Sequence, residues 1–303
     1  MKIAIAGGTG FVGQALTKLL QQEGHEIIIL TRQSSKQRQS IQYVQWLSPT
    51  STPQQALEGV DAFVNLAGVS LNAGRWTTKQ KKAIYTSRMD TTLAIVEIIE
   101  QLTNKPKVLI NASAVGIYPA STTAIYTENS TDIATDFLGT TVHDWEKHAK
   151  RAEQLGVRVA LARFGVILGR DSGALPPMLL PYKMGIGGTV GSGQQWLSWV
   201  HIEDVARAIY FAIMNDTIRG AFNITAPNPV RMKEFGQTIA SVMQKKHWLP
   251  VPSFAMRLAL GEQSVLVLEG QQVLPTMLEK QHFTFHFPHL QQALEDLSHI
   301  NSL

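Results

Sequence analysis

The chain opens with a short apolar run, Lys2 to Ala6, that enters a loop with glycines at positions 7, 10 and 13 before a helical pattern begins. No other stretch constrains the fold as tightly. Glycine lets a backbone turn sharply and lets other atoms come close. The free N–H groups at a helix start attract phosphate. Gly7, Thr9, Gly10, Phe11, Val12 and Gly13 are therefore expected to line a cradle for the diphosphate of a dinucleotide. The spacing is Gly-x-x-Gly-x-x-Gly, not the commoner Gly-x-Gly-x-x-Gly.

Strand and helix patterns keep alternating for two-thirds of the chain. Strands are expected at 3–6, 26–30, 41–46, 62–66, 108–111, 157–163, 198–200 and 221–224. Helices are expected at 11–23, 77–102, 137–155 and 202–214. The run at 26–30 is continuously apolar, as suits a sheet covered on both faces. This alternation predicts the α/β class: a doubly wound parallel-sheet Rossmann fold. Residues 169–195 are rich in glycine and proline, and 227–303 read as short helices. The expected organisation is a dinucleotide-binding domain from 1–165 plus 196–226, with a small, mainly helical C-terminal domain from 166–195 plus 227–303.

Composition excludes several classes. A formal net charge of +4 over 303 residues is mild. The densest basic groups, Lys79–Lys82 and Lys147–Arg151, fall in predicted helices as solvated faces, so nucleic acid is not an expected partner. The absence of cysteine excludes disulfides and a thiol nucleophile. No His, Asp and Glu cluster has ligand spacing, so no metal is expected. No apolar run reaches about 18 residues, so no membrane span is expected. Met1 leads directly into the first strand, which points to a cytoplasmic protein.

In an NAD site, an acidic residue roughly 20 residues after the glycines accepts the ribose hydroxyls. Here the second strand ends in Thr31 and Arg32, with no carboxylate. Guanidinium pairs bidentately with phosphate, so Arg32, with the Thr31 hydroxyl and Lys36 and Arg38 nearby, points to a 2′-phosphate and to NADP(H). The alternative is an ordinary surface arginine. Asn65, Leu66, Ala67 and Gly68 end a later strand at the sheet edge where ligands bind. Small residues there let a ribose lie against the backbone; the alternative is a plain turn.

These pieces resemble the extended short-chain dehydrogenase/reductase superfamily, also called the NAD-dependent epimerase/dehydratase family. Further matches are Ser113 at a strand end, Arg163-Phe-Gly-Val166, and the Trp199–Ala206 segment with His201 and Asp204. Ser113–Tyr118, Asp144-Trp-Glu146, Gly191–Trp196 and Leu268–Gln271 are similar to one branch, the YfcH-type epimerase-family proteins. That branch carries a C-terminal domain of undefined function, here about 250–298. The resemblance implies that Arg88 on the long helix contacts cofactor or pocket, and that the Gly165 and Val166 backbone lies beside the nicotinamide. It also implies dimerisation through the two long helices.

The superfamily's chemistry needs a serine to polarise the substrate carbonyl, a tyrosine to move its proton, and a lysine four residues later. Ser113 suits the first role. No tyrosine of this chain has a lysine four positions on; those places fall on Val142 and Glu146. An acidic residue beside the ribose would reverse the local charge. Tyr118 is the candidate replacement acid, with pocket wall and packing residue as alternatives. Two readings stay open: an NADP(H) oxidoreductase or epimerase on an unidentified small molecule, and a non-catalytic NADPH-binding sensor or scaffold.

Overall fold

The computed structural model describes residues 1–38 and 40–298. Its eight-stranded sheet runs Gly220–Ile224, Arg158–Phe164, Val108–Ala114, Ala62–Asn65, Lys2–Ala6, Glu26–Thr31, Ile41–Gln45 and Lys36–Arg38 from edge to edge. Seven strands pair in parallel; Lys36–Arg38 closes the edge as an antiparallel hairpin with Ile41–Gln45. That hairpin strand is absent from the sequence pattern because two of its three residues are charged and its pairing is local to the edge. The chain winds one way from Lys2–Ala6 to Ile41–Gln45, then restarts on the other side with Ala62–Asn65. The switch opens a crevice between these two strands at their carboxyl ends.

Period-two alternation decides what covers each face. Ile3, Ile5, Ile27 and Ile29 pack against Leu16 and Leu20 of the helix Phe11–Gln22 and Val205 and Ile209 of the helix Ile202–Met214. Ala4, Ala6, Ile28 and Phe63 face Ile95 and Ile99 of Thr78–Gln101 and Ala149 of Phe137–Ala149. Both covering helices on this second face start on side-chain caps. Thr77 accepts from the Gln80 amide and Asp136 from the Gly139 amide. The stretch expected as one helix to 155 is α-helical only to Ala149. It tightens to a 3₁₀ turn over Lys150–Leu155 and stops at Gly156, whose φ of 78° favours glycine.

A third core joins the glycine- and proline-rich segment to the C-terminal region, with Leu175, Leu179, Trp199, Phe235 and Leu294 among its members. The C-terminal region is mainly helical. Leu278 and Phe283 leave that core and enter the sheet's own, beside Phe222. The short strand Gln272–Val273 pairs with Ile125–Tyr126. Among the described residues no helix is long and apolar enough to cross a membrane, and no group of His, Cys, Asp and Glu could hold a metal ion.

Candidate active site at the carboxyl edge of the sheet

The glycine loop sits in the crevice. Gly7 has a φ of 81°, and a side chain there would meet the Leu66 carbonyl at 2.7 Å and the Ala67 amide at 2.9 Å. A Cβ on Gly13 would overlap Gly7 O and come within 2.6 Å of Gly8 Cα. The helix that follows starts at Gly10 with no side-chain cap and no acid in its first turn. Its leading amides are therefore free to meet an anion. Thr9 is exposed, and its carbonyl accepts from the Gln14 side chain at 2.7 Å. Val12 packs into the sheet core, while the Phe11 ring lies against Gly169 and Gly173, tying that loop to the cradle.

Thr31 Oγ1 accepts from the Gln33 amide at 3.1 Å, which shapes the turn after the second strand. Arg32 is exposed there and no carboxylate pairs with it among the described residues. The Arg38 side chain lies outside what is described. Across the crevice, the Asn65 side chain holds the Ala67 amide at 3.2 Å and is itself tied to Asn111 at 2.7 Å and Thr92 at 3.0 Å. Trp145 donates to the same Thr92 hydroxyl at 2.9 Å. Leu66 and Ala67 are thus held rigidly against the glycine loop.

Arg88 lies under Gly68, where an added Cβ would stand 3.4 Å from its guanidinium carbon. It donates to the carbonyls of Val69 and Ile84 and lies over the Trp145 ring at 5.1 Å, with no carboxylate partner. Burial lowers it to about 10. A partly buried arginine with no counter-ion among the described residues leaves this part of the crevice positive. The Gly165 and Val166 amides are already bonded, to the carbonyls of Ile224 and Ser198. Only their remaining backbone surface is open to a ligand.

Ser113, Arg163 and Asn223 face one another in adjacent strands, in register. Ser113 and Glu146 are only 2 % and 4 % exposed. The Ser113 hydroxyl donates to Glu146 at 2.6 Å, and Arg163 grips the same carboxylate through Nε at 2.7 Å and Nη2 at 2.8 Å. Arg163 Nη1 donates to the Tyr118 hydroxyl at 2.8 Å, whose single hydrogen faces two acceptors, Asn223 Oδ1 at 2.9 Å and the Thr127 carbonyl at 3.0 Å. Burial works against the Arg163 charge, but bonding to Glu146 and then Tyr118 outweighs it and lifts the group above the usual arginine range. Burial also raises the Tyr118 phenol, against the pull of Arg163.

This geometry bears on three sequence expectations. Ser113 was expected to donate to a substrate carbonyl, yet its one hydrogen is held by Glu146. Of the three readings of Tyr118, acid, pocket wall and packing residue, the geometry fits the last: it is 1 % exposed and stacked on Tyr126, with its hydroxyl bonded inward. Glu146 was expected to place bare negative charge beside the ribose, yet Arg163 neutralises it. Nothing in the linear pattern signals this network, because its members come from three strands, a helix and the loop that carries Tyr118. Val142, at the other displaced position, is buried among Val115, Ile117 and Tyr118. His201 caps the helix that follows it and stacks on Phe287 at 3.8 Å, a structural placement.

A sequence model of the NAD dependent epimerase/dehydratase family matches residues 3–225, and one of a domain of unknown function, DUF1731, matches 251–297. Epimerase family protein YfhF of Bacillus subtilis is 49 % identical over 98 % of both chains. Epimerase family protein SSP1921 of Staphylococcus saprophyticus is 45 % identical over 97 % of this chain and 98 % of its own. The crystal structure of human epimerase family protein SDR39U1 with NADPH superposes with a TM-score of 0.89 at 33 % identity, covering 99 % of this chain and all of that one. MoeE5, solved with UDP-glucuronic acid and NAD, shares the fold at 17 % identity and a TM-score of 0.79.

Proposed function

The chain belongs to the NAD-dependent epimerase/dehydratase family, and from that premise we propose that it binds NADP(H) and acts as an oxidoreductase or epimerase on a small molecule. The observation that carries this reading is a pair of anion sites bracketing one crevice. The uncapped helix start behind Gly7–Gly13 receives the diphosphate, and Arg32, with no carboxylate beside it, receives the 2′-phosphate with help from Thr31. SDR39U1, similar over its full length, was crystallised with NADPH. When bound, the nicotinamide gives or accepts a hydride.

The chain's own groups divide the remaining work. Leu66, Ala67 and Gly68 offer a rigid backbone surface to a ribose, and Arg88 adds positive charge beneath it. Gly165 and Val166 line the nicotinamide end through their backbone. Ser113 touches the substrate oxygen. With its hydrogen on Glu146, it accepts a bond from a substrate hydroxyl. Glu146 and Arg163 are positioning residues that act through Ser113. The protein works in the cytoplasm and forms a homodimer through the 78–101 and 137–149 helices.

A second reading is favoured by one observation: the Tyr118 hydroxyl is turned inward, and no lysine stands behind the site. It makes the chain a non-catalytic NADPH-binding sensor or scaffold. Titration of the wild type and Arg32→Ala with NADPH and NADH tests the shared half, with about a tenfold loss for NADPH alone expected in the variant. Equal NADPH affinity in both proteins defeats it. Hydride transfer to NADP from a panel of primary and secondary alcohols, lost in Ser113→Ala, separates the enzyme from the sensor.

A further inference from the structure

Two segments that stand out in the sequence, Gly191–Trp196 and Leu268–Gln271, meet at one cavity of about 100 Å³. Ser192 and Glu269 come from those segments; Ser253, Arg257 and Ser264 come from the helical stretch between residues 253 and 264. Gly191, at a φ of 62°, keeps the corner open. A Cβ there would meet Leu268 Cδ2 at 2.9 Å and Ser253 Oγ at 3.2 Å.

Ser192 donates to Gln195 Oε1, while other wall groups are left open. Ser264 is 4 % exposed, lines the cavity and has no hydrogen-bond partner for its hydroxyl among the described residues. That hydroxyl opens onto the cavity, where a ligand oxygen can meet it. Arg257 and Glu269 are exposed at the cavity rim and form no ion pair among the described residues, with each other or with another group.

The cavity wall is fastened to the crevice at both ends. Arg75 donates to the carbonyls of Leu258 and Ala259, Gln263 to the carbonyl of Leu71, and Lys81 pairs with Glu262. These anchors lie in the loop and helix that follow Gly68. At the other end the Gln271 side chain donates to the Tyr118 carbonyl at 2.8 Å, a few residues beyond Ser113.

We infer that this cavity is an oxyanion site that holds one end of the substrate, a carboxylate or phosphate carried next to a hydroxyl. Arg257 and the Ser253 and Ser264 hydroxyls take the oxyanion; Glu269 accepts from the neighbouring hydroxyl. The word substrate rests on the oxidoreductase reading; the oxyanion site does not. Titration calorimetry of the full chain with glycerol 3-phosphate, D-gluconate and glycerol tests it. At least one of the two anions binds while glycerol does not, and which one binds identifies the oxyanion. Arg257→Gln weakens that binding about tenfold or more, and Ser264→Ala about threefold, with NADPH affinity unchanged. Absence of binding by both anions, or equal binding to wild type and Arg257→Gln, overturns the site. Failure of NADPH to bind the wild type would instead defeat the cofactor reading and leave the oxyanion result standing.

Discussion

Ser113 hands its hydroxyl hydrogen to Glu146 across 2.6 Å, at the strand end that faces the cofactor crevice. Ser113 is the serine we propose for the substrate oxygen, yet its donor hydrogen is engaged inside the protein. From the neighbouring strand, Arg163 holds the carboxylate that takes the hydrogen. The result is a buried ion pair with a hydroxyl attached.

That pair makes Glu146→Gln a severe change. Both side chains are nearly buried, and removing one charge leaves the Arg163 guanidinium uncompensated. The expected loss is about 3–5 kcal/mol in denaturant unfolding. An Arg163→Met, Glu146→Leu double variant should lose less than the sum of the two single changes. Strict additivity would show that the two residues do not interact.

Tyr118→Phe separates a structural phenol from an acid. The variant leaves Arg163 Nη1 and Asn223 Oδ1 short of a partner in a sealed site. Stability should fall by about 1–3 kcal/mol, while NADPH affinity stays within about twofold, well under the tenfold that 1.4 kcal/mol represents. A variant of unchanged stability that has lost hydride transfer would restore the acid role.

Gly13→Ala tests the cradle. The added methyl must displace the Gly7–Gly8 backbone against the helix start. NADPH binding should fall at least about tenfold and stability by about 1–3 kcal/mol. Gly24→Ala is the control, since its φ of 75° strains an alanine but nothing lies within 4 Å of its Cβ and it is remote from the crevice. Wild-type NADPH affinity in Gly13→Ala would remove the loop from the binding site.

The Tyr85 hydroxyl donates to Asp144 at 2.8 Å, linking the two long helices. That bond is the main reason the Asp144 carboxyl lies below the usual aspartate value and the Tyr85 phenol above the usual tyrosine value. An acid lowered in the fold contributes stability above its unfolded pKa and loses it as pH falls through the folded one. The raised phenol contributes below its unfolded pKa and loses it as pH rises through the folded value. Between about pH 5 and pH 2, the melting temperature of the wild type should therefore fall more steeply than that of Tyr85→Phe. Parallel curves would mean the bond carries no pH-dependent stability.

Read as a linear pattern, residues 2–13 already determine a strand, a glycine turn and a helix start, because each is a local matter of backbone freedom and side-chain periodicity. The alternation that follows determines a parallel doubly wound sheet, and Arg32 at the second strand end needs no tertiary contact to exclude a carboxylate there. What only the folded structure decides is how groups far apart in sequence are aligned. Ser113 and Arg163 become neighbours because two parallel strands pair in one register, and a one-residue slip would turn either side chain to the opposite face. Glu146 reaches them because its helix packs on that same face. Donor directions, the sealing of Tyr118 and the meeting of Ser192 with Arg257 all depend on such long-range packing, which no local pattern encodes.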